Sequence, residues 1–419
     1  MRHEGGSDTV LVIGGGVVGV TIAAHIAETG RHVTLVDRKG IALEASYGNA
    51  AALAFSDILP MASPGIMKKA PRWLFDPVGP LTIRPSYLPK ITPWLYRFWR
   101  ASSRRQYEKG VLAQAALMRI GRAEAVPFYE RIGIGYMIRH DGSLDLYQSE
   151  AEFKESLDGW NACERAGIAV RHVPQHEIPD YQPGLSSDFV AATFVPEWKT
   201  VAEPHLLAKA VWSYAESLGT VYRQSAVERL TRNPSGRAEA VLDDGTAIAA
   251  DRIVIAAGAW SHRLVRTISR LAIPLETERG YNTTLPPGAA DIRRQLVFPG
   301  HGFVITPLET GVRVGGAVEL AGLDLPPNFA RSKAMLAKAK RFLPDLKTEG
   351  GTEWMGFRPS LPDTRPAIGP LPKNDDIICA FGHGHLGLTQ SVATALLVKA
   401  LIEDARPEID LTPYRPDRF

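Results

Sequence analysis

After a polar octet the chain enters TVLVIGGG, an unbroken run of β-branched residues and leucine from Thr9 that ends in glycines. A continuous apolar run without alternation predicts a strand covered on both faces and leading into a tight turn. From Val17 to Thr29 small and apolar residues recur at helical spacing, and Gly30 suits the residue after the helix because it accepts a left-handed conformation without steric cost. A second apolar strand, His32 to Val36, follows at once and ends at Asp37, which completes a βαβ unit. Farther on, the pattern predicts a helix over Pro204 to Gly219, a short strand over Ser225 to Leu230, a hairpin turning at Asp244-Gly245 and a buried strand over Asp251 to Trp260. Leu271 to Leu346 carries short alternating segments broken by glycine and proline, the pattern of an antiparallel sheet, and a helix is predicted after Gly387.

Within the first unit Gly14, Gly16 and Gly19 form GxGxxG, with Val17 and Val18 opening the helix. One glycine turns the chain, one lets backbone approach a pyrophosphate, and one packs helix against strand. The helix N-terminus offers free NH groups and partial positive charge to phosphates. Asp37, at the end of the second strand and followed by Arg38, stands where a carboxylate accepts hydrogen bonds from ribose hydroxyls and repels a 2′-phosphate. The plain alternative is a glycine-rich turn, but strand, helix, second strand and acid all stand in register for a dinucleotide.

The chain does not continue with further βα units, as a nicotinamide dehydrogenase would. It passes into GIALEASYGNAAALAFSDILP, rich in glycine, alanine and serine, which suits backbone lying against a ligand. The strand from Asp251 ends in Ala256, Ala257 and Gly258, whose small side chains permit close approach to a cofactor. This resembles the second FAD-contacting strand of flavoproteins with a dinucleotide-binding fold, and makes FAD the expected cofactor.

At 419 residues two domains are expected. The fold class read from the pattern is α/β with an α+β second domain. A discontinuous dinucleotide-binding domain is assigned to residues 1–60, 150–270 and 350–419, and an antiparallel-sheet substrate domain to 61–149 and 271–349. The balance of 48 basic against 45 acidic residues gives no reason to expect nucleic acid as a partner. The two cysteines, Cys163 and Cys379, lie far apart without metal-ligand spacing, so neither a disulfide framework nor a metal site is expected. No signal-peptide pattern or spanning apolar run is read in the chain, and a cytoplasmic location is expected, with any membrane contact peripheral. Residues 60 to 110 concentrate Trp73, Trp94 and Trp99 with Arg84, Lys90, Arg97, Arg100, Arg104, Arg105 and Lys109. They read either as a proline-rich cover of the substrate domain or as a surface resting on an anionic membrane near a quinone pool.

WMGFRPSLPDTRPAIGPLP followed by DIICAFGHGHLGLTQS, with SYGNAAALAFSDILPMASPG and ETERGY, resembles the FAD-dependent D-amino-acid dehydrogenase branch of the D-amino-acid oxidase and glycine oxidase superfamily. The chain is also similar to bacterial glyphosate oxidoreductase-like enzymes. The resemblance spans essentially the whole chain. It implies non-covalent FAD, lined by Ser46, Gly48, Asn49, Ala50 and Ala51, with Val227 on the adenine side and Trp260 beyond Gly258. It places Gly356 and Arg358, then Gly382, His383, Gly384, His385, Leu386, Gly387, Leu388 and Thr389, beside the flavin ring. A helix N-terminus there favours the negative charge of a reduced flavin.

By the same resemblance Arg358 holds the substrate carboxylate, a task suited to a planar guanidinium that bonds both oxygens. The alternative for Arg358 is a structural arginine. Tyr281 either offers its hydroxyl to that carboxylate or belongs to the core. His383 and His385 are candidates for amine contact or proton uptake, or simply hydrogen-bond the flavin. The implied activity is oxidation of a small D-amino acid or proline-like imino acid, with hydride passing to flavin N5 and electrons to a quinone or another acceptor besides oxygen. The alternatives are secondary amines of the sarcosine or glyphosate kind, or a flavin subunit of a larger electron-transfer complex.

Overall fold

The computed structural model describes residues 9–66 and 81–419. A six-stranded sheet runs in the order Val221–Gln224, His32–Asp37, Thr9–Ile13, Arg252–Ile255, Asn374–Phe381, Ala367–Leu371. The first five strands are parallel and the last is antiparallel. The unbroken apolar runs are explained by cover on both faces. Val10 and Val12 pack with the helices on one side, and Leu11 and Ile13 pack with Leu230, Ala240 and Leu242 of a three-stranded sheet on the other. All four of those strand residues are buried, and each fully buried aliphatic side chain contributes about 1.5–3 kcal/mol. Helix Val17–Ala27 packs against helices Pro204–Ser217 and Gly387–Ile402, and the hairpin turns at Gly245, whose φ is +81°.

The second sheet is larger. Its strands run Thr352–Ser360, Glu276–Leu285, Gly311–Leu320, Phe303–Leu308, Gln295–Phe298, Ser143–Tyr147, Ala191–Val195, Arg171–Pro174, with Leu81–Ile83 paired alongside Val318 to Leu320. The expected antiparallel pattern holds between Glu276 and Leu320, and stacked Phe298, Phe303 and Phe342 fill the space beneath helix Ala330–Phe342. Sheet membership departs from the residue ranges expected for the domains. Arg171–Pro174, Ala191–Val195 and Thr352–Ser360, read as parts of the dinucleotide-binding domain, all hydrogen-bond into the large sheet. Strand propensity carries no mark of the partner; the ladder that accepts each strand decides.

Residues 81 to 131 are largely helical, and Ile91 and Trp94 pack on Leu320 of the large sheet, as a cover of the substrate domain would. The helices are Leu88–Ala101 and Arg104–Arg131, and the second packs onto Gly387–Ile402, against the dinucleotide-binding unit. Trp94 is buried while Trp99 and Tyr96 are each 55% exposed; Trp73 lies outside the described residues. Among the described residues no helix is long and apolar enough to cross a membrane.

Candidate active site

The two sheets enclose a cavity of about 1200 Å³, larger than the usual site for a single small ligand. At one end Gly14, at φ +118°, turns the chain so tightly that a Cβ there would stand 2.3 Å from the Ala256 carbonyl oxygen. A Cβ on Gly19 would stand 1.8 Å from the carbonyl oxygen of Gly14, so Gly19 is the close helix-to-strand contact and does not border the cavity. Gly16, Val17 and Val18 do border it, and the Val17 NH donates to Ser46 Oγ at 2.9 Å. The Ser46 hydroxyl proton therefore stays available at a helix N-terminus, the arrangement a phosphate needs.

Asp37 borders the same end, but its carboxylate already accepts the NH groups of Gly15, Lys39 and Gly40 at 2.8, 2.8 and 3.0 Å. A carboxylate has about four lone-pair sites, so room for a ribose hydroxyl remains. Arg38 stacks on Trp260, its guanidinium carbon 3.7 Å from the ring centroid, and pairs with Glu44 at 2.5 Å. Val227, Ala256, Ala257, Gly258 and Trp260 complete this end of the cavity.

The Gly48 to Ala50 loop is held from the large sheet. Asn282 Nδ2 donates to the Gly48 carbonyl at 2.6 Å, Arg313 to that of Asn49 at 2.7 Å and Thr306 to that of Ala50 at 3.1 Å. The Trp354 indole lies against Gly48 and Gly356, where Cβ atoms would come within 2.5 and 2.0 Å of it. Ala51 and Gly382, expected beside the flavin, do not border the cavity: Ala51 is fully buried, and Gly382 turns toward Leu361 at φ +86°. Gly384, Leu386, Gly387, Leu388 and Thr389 border it, although the Thr389 hydroxyl is engaged with the backbone of Ala52 and Ala54.

Arg358 also borders the cavity. Nη1 donates to the Ala317 carbonyl at 2.9 Å, and the guanidinium lies over Gly280, where a Cβ would be 2.4 Å away. Enclosure by protein lowers its pKa from the usual arginine value, and the charge of Glu278 opposes that shift. Among the described residues Arg358 makes no ion pair, although part of its surface opens to the cavity. A half-buried cation held by one carbonyl is prepared for an incoming anion.

The structure bears on the alternatives left open at Tyr281, His383 and His385. Tyr281 is 1% exposed; its hydroxyl donates to Glu319 Oε2 at 2.5 Å and accepts from the Asn328 NH at 3.0 Å, so it serves the core and does not hold a ligand carboxylate. It occupies an odd-numbered strand position, pointing to the opposite face from Glu278 and Gly280. His383 borders the cavity but is only 4% exposed, and its Nε2 is bonded to Thr394 Oγ1 at 3.0 Å, so that nitrogen is not free for amine contact or proton uptake. His385 borders the cavity as well and is more exposed, with Nε2 donating to Asp57 Oδ2 at 2.9 Å. Burial works against its charged form, but the hydrogen bond and charge of Asp57 hold its pKa above the ordinary histidine value. Asp57 was missed because a lone aspartate in LAFSDILP carries no local signal. Glu278 was missed although strand alternation in ETERGY separates it from Tyr281.

Burial depresses the His383 pKa to about 3, so the ring is neutral in the folded protein. Protons then bind the unfolded chain preferentially below pH 6.5, and stability falls with decreasing pH from 6.5 toward 3, by up to about 1.4 kcal/mol per unit. His383→Asn is expected to flatten the fall in Tm between pH 6 and pH 4. An unchanged slope in thermal melts would show that His383 does not contribute it.

The chain matches the FAD dependent oxidoreductase family (DAO) over residues 9–401. It belongs to that family. Among its relatives a D-amino-acid oxidase of Bradyrhizobium diazoefficiens is 33% identical over 420 residues, 98% of both chains. A D-amino acid dehydrogenase of Sinorhizobium medicae is 30% identical over 98% of this chain and 99% of that one. The fold is similar to glycine oxidase from Geobacillus kaustophilus, with a TM-score of 0.77 at 22% identity over 98% of this chain and 99% of that one. The chain is an FAD-dependent oxidoreductase, and the glycine cradle, the Ser46 hydroxyl and the volume of the cavity fit that cofactor. Both cysteines are buried away from the cavity.

Proposed function

We propose that this oxidoreductase oxidises the carbon-nitrogen bond of a small D-amino acid or proline-like imino acid and passes the electrons to an acceptor other than oxygen. The observation that carries the reading is Arg358, a cation without an ion pair among the described residues, at the wall of the cavity that the dinucleotide cradle also borders. Its planar fork binds a carboxylate through two oxygens and so fixes which hydrogen of the adjacent carbon faces the cofactor. FAD, when bound, supplies the hydride acceptor. The N-terminus of helix Gly387–Ile402 places partial positive charge at the same cavity wall, which favours the reduced cofactor. The D-amino-acid oxidase and dehydrogenase relatives support the substrate class. A membrane quinone as acceptor is supported by exposed Tyr96 and Trp99 beside Arg97 and Arg100.

Anaerobic bleaching of the flavin absorbance, with D-proline, cis-4-hydroxy-D-proline, D-alanine, glycine, sarcosine and glyphosate offered in turn, tests this reading. Rapid bleaching by a D-amino or imino acid, followed by slow recovery in air, is the expected result. Bleaching by sarcosine or glyphosate alone would move the substrate class to secondary amines, and no bleaching by any of them would overturn the proposal.

A further inference from the structure

One rung of the large sheet crosses four strands. Glu278 is the direct partner of Arg358 on one side and of Leu320 on the other, and Leu320 pairs with Ile83. Directly opposed residues project to the same face of a sheet, and all four border the cavity. The rung reads cation, anion, apolar, apolar. Helix Leu88–Ala101 brings Trp94 to the apolar end, where it packs with Leu320.

Glu278 is the unusual member. It is 4% exposed, its Oε2 is buried without a hydrogen-bond partner, and it makes no ion pair among the described residues. A buried carboxylate without a partner is costly, and such groups are normally paired or hydrogen-bonded. Its rung neighbour Arg358 does not close on it, because that guanidinium lies over Gly280 and is tied to the Ala317 carbonyl. Two opposite charges thus face one cavity from adjacent strands without neutralising each other. A molecule carrying both charges on groups joined to one carbon, carboxylate and ammonium, would satisfy each.

We propose that Glu278 accepts the N–H groups of the substrate amine, so that Arg358 and Glu278 together read an amino-acid zwitterion whose side chain extends over Leu320 and Ile83. The proposal rests on the assignment of the substrate carboxylate to Arg358. The other cavity-facing group near the amine, His385, is a poor partner for an ammonium. Its Nε2 is committed to Asp57, and its raised pKa favours a donor. An apolar side chain is favoured over a charged one because the rung beyond Glu278 offers no polar atom.

The test uses the FAD-loaded enzyme and two probes of one skeleton, 2-aminoisobutyrate and 2-methylpropanoate. The first carries amine and carboxylate but no α-hydrogen, so it binds without being oxidised; the second lacks the amine. Binding is read as perturbation of the flavin absorbance, independent of turnover. Glu278→Gln is expected to weaken 2-aminoisobutyrate by about 10- to 100-fold while 2-methylpropanoate binds as well or better, since a neighbouring anion has been removed. Glu278→Asp, which keeps the charge and serves if the glutamine variant does not fold, should lose less for the zwitterion and nothing for the acid. Equal losses for both probes, or an unchanged affinity for 2-aminoisobutyrate, would overturn the role of Glu278. A failure of the Arg358 assignment looks different. 2-Methylpropanoate would then bind Arg358→Met as tightly as wild type, or not perturb the wild-type flavin at all, and the proposal would fall with it.

Discussion

Replacing Arg358 with methionine is expected to lower kcat/KM for the oxidised amino acid by two to four orders of magnitude, while the protein keeps its FAD and its fold. The loss corresponds to about 3–5 kcal/mol, within the range for removing one partner of a hydrogen-bonded charge pair. Stability should move the other way or not at all. Without a ligand the guanidinium is a half-buried cation with one carbonyl contact, and an apolar chain of similar length removes its desolvation cost. Arg358→Lys should recover only part of the activity, because an ammonium cannot form the paired bonds of the planar fork. Steady-state kinetics with a dye acceptor, alongside thermal melts, separates two roles. A large drop in Tm with unchanged kcat/KM would make Arg358 a structural residue.

The second large effect concerns Gly19. Gly19→Ala would place a methyl group 1.8 Å from the carbonyl oxygen of Gly14, a backbone atom in the turn that cradles the dinucleotide. Neither side can yield without moving helix Val17–Ala27 off its strand. The deflavinated protein should lose at least about 3 kcal/mol of stability, and the variant should purify without FAD. Gly16→Ala provides the contrast. Its Cβ would meet only Ser46 Oγ, at 3.3 Å, in an ordinary backbone conformation. Apoprotein stability should stay within about 1 kcal/mol of wild type, and the damage should appear as weaker FAD rebinding, because the methyl stands at the helix N-terminus where phosphate approaches. Melts of both apoproteins and FAD titrations check this; equal losses of apoprotein stability would show that Gly14 and Gly19 are not in the contact described.

The parts of the fold that could be read in advance are those whose causes lie close together in the chain. The strand Thr9–Ile13, its glycine turn, the helix from Val17 and the return strand to Asp37 are specified within thirty residues by an apolar run, a period and three glycines. The hairpin at Gly245 and the helix from Gly387 are of the same kind. Arg358 was legible by a different route: its motif resembles a family in which that arginine meets a carboxylate, and the structure then shows an arginine without an ion pair among the described residues at the cavity wall.

Other assignments depended on contacts between distant segments. Tyr281 and Glu278 are three residues apart, yet one hydroxyl is committed to Glu319 and the other side chain stands unpartnered at the cavity. His383 and His385 differ as sharply within one GHGH run, the first bonded to Thr394 and the second to Asp57, more than three hundred residues earlier. The sequence by itself determined the dinucleotide cradle and the family chemistry, because these rest on local backbone conformation and on a contiguous motif. Tertiary structure alone decided which charged groups face the cavity and which are spent in the core, because a side chain's partner is set by the strand laid beside it, and hydrogen-bond ladders join strands without regard to their separation in the chain.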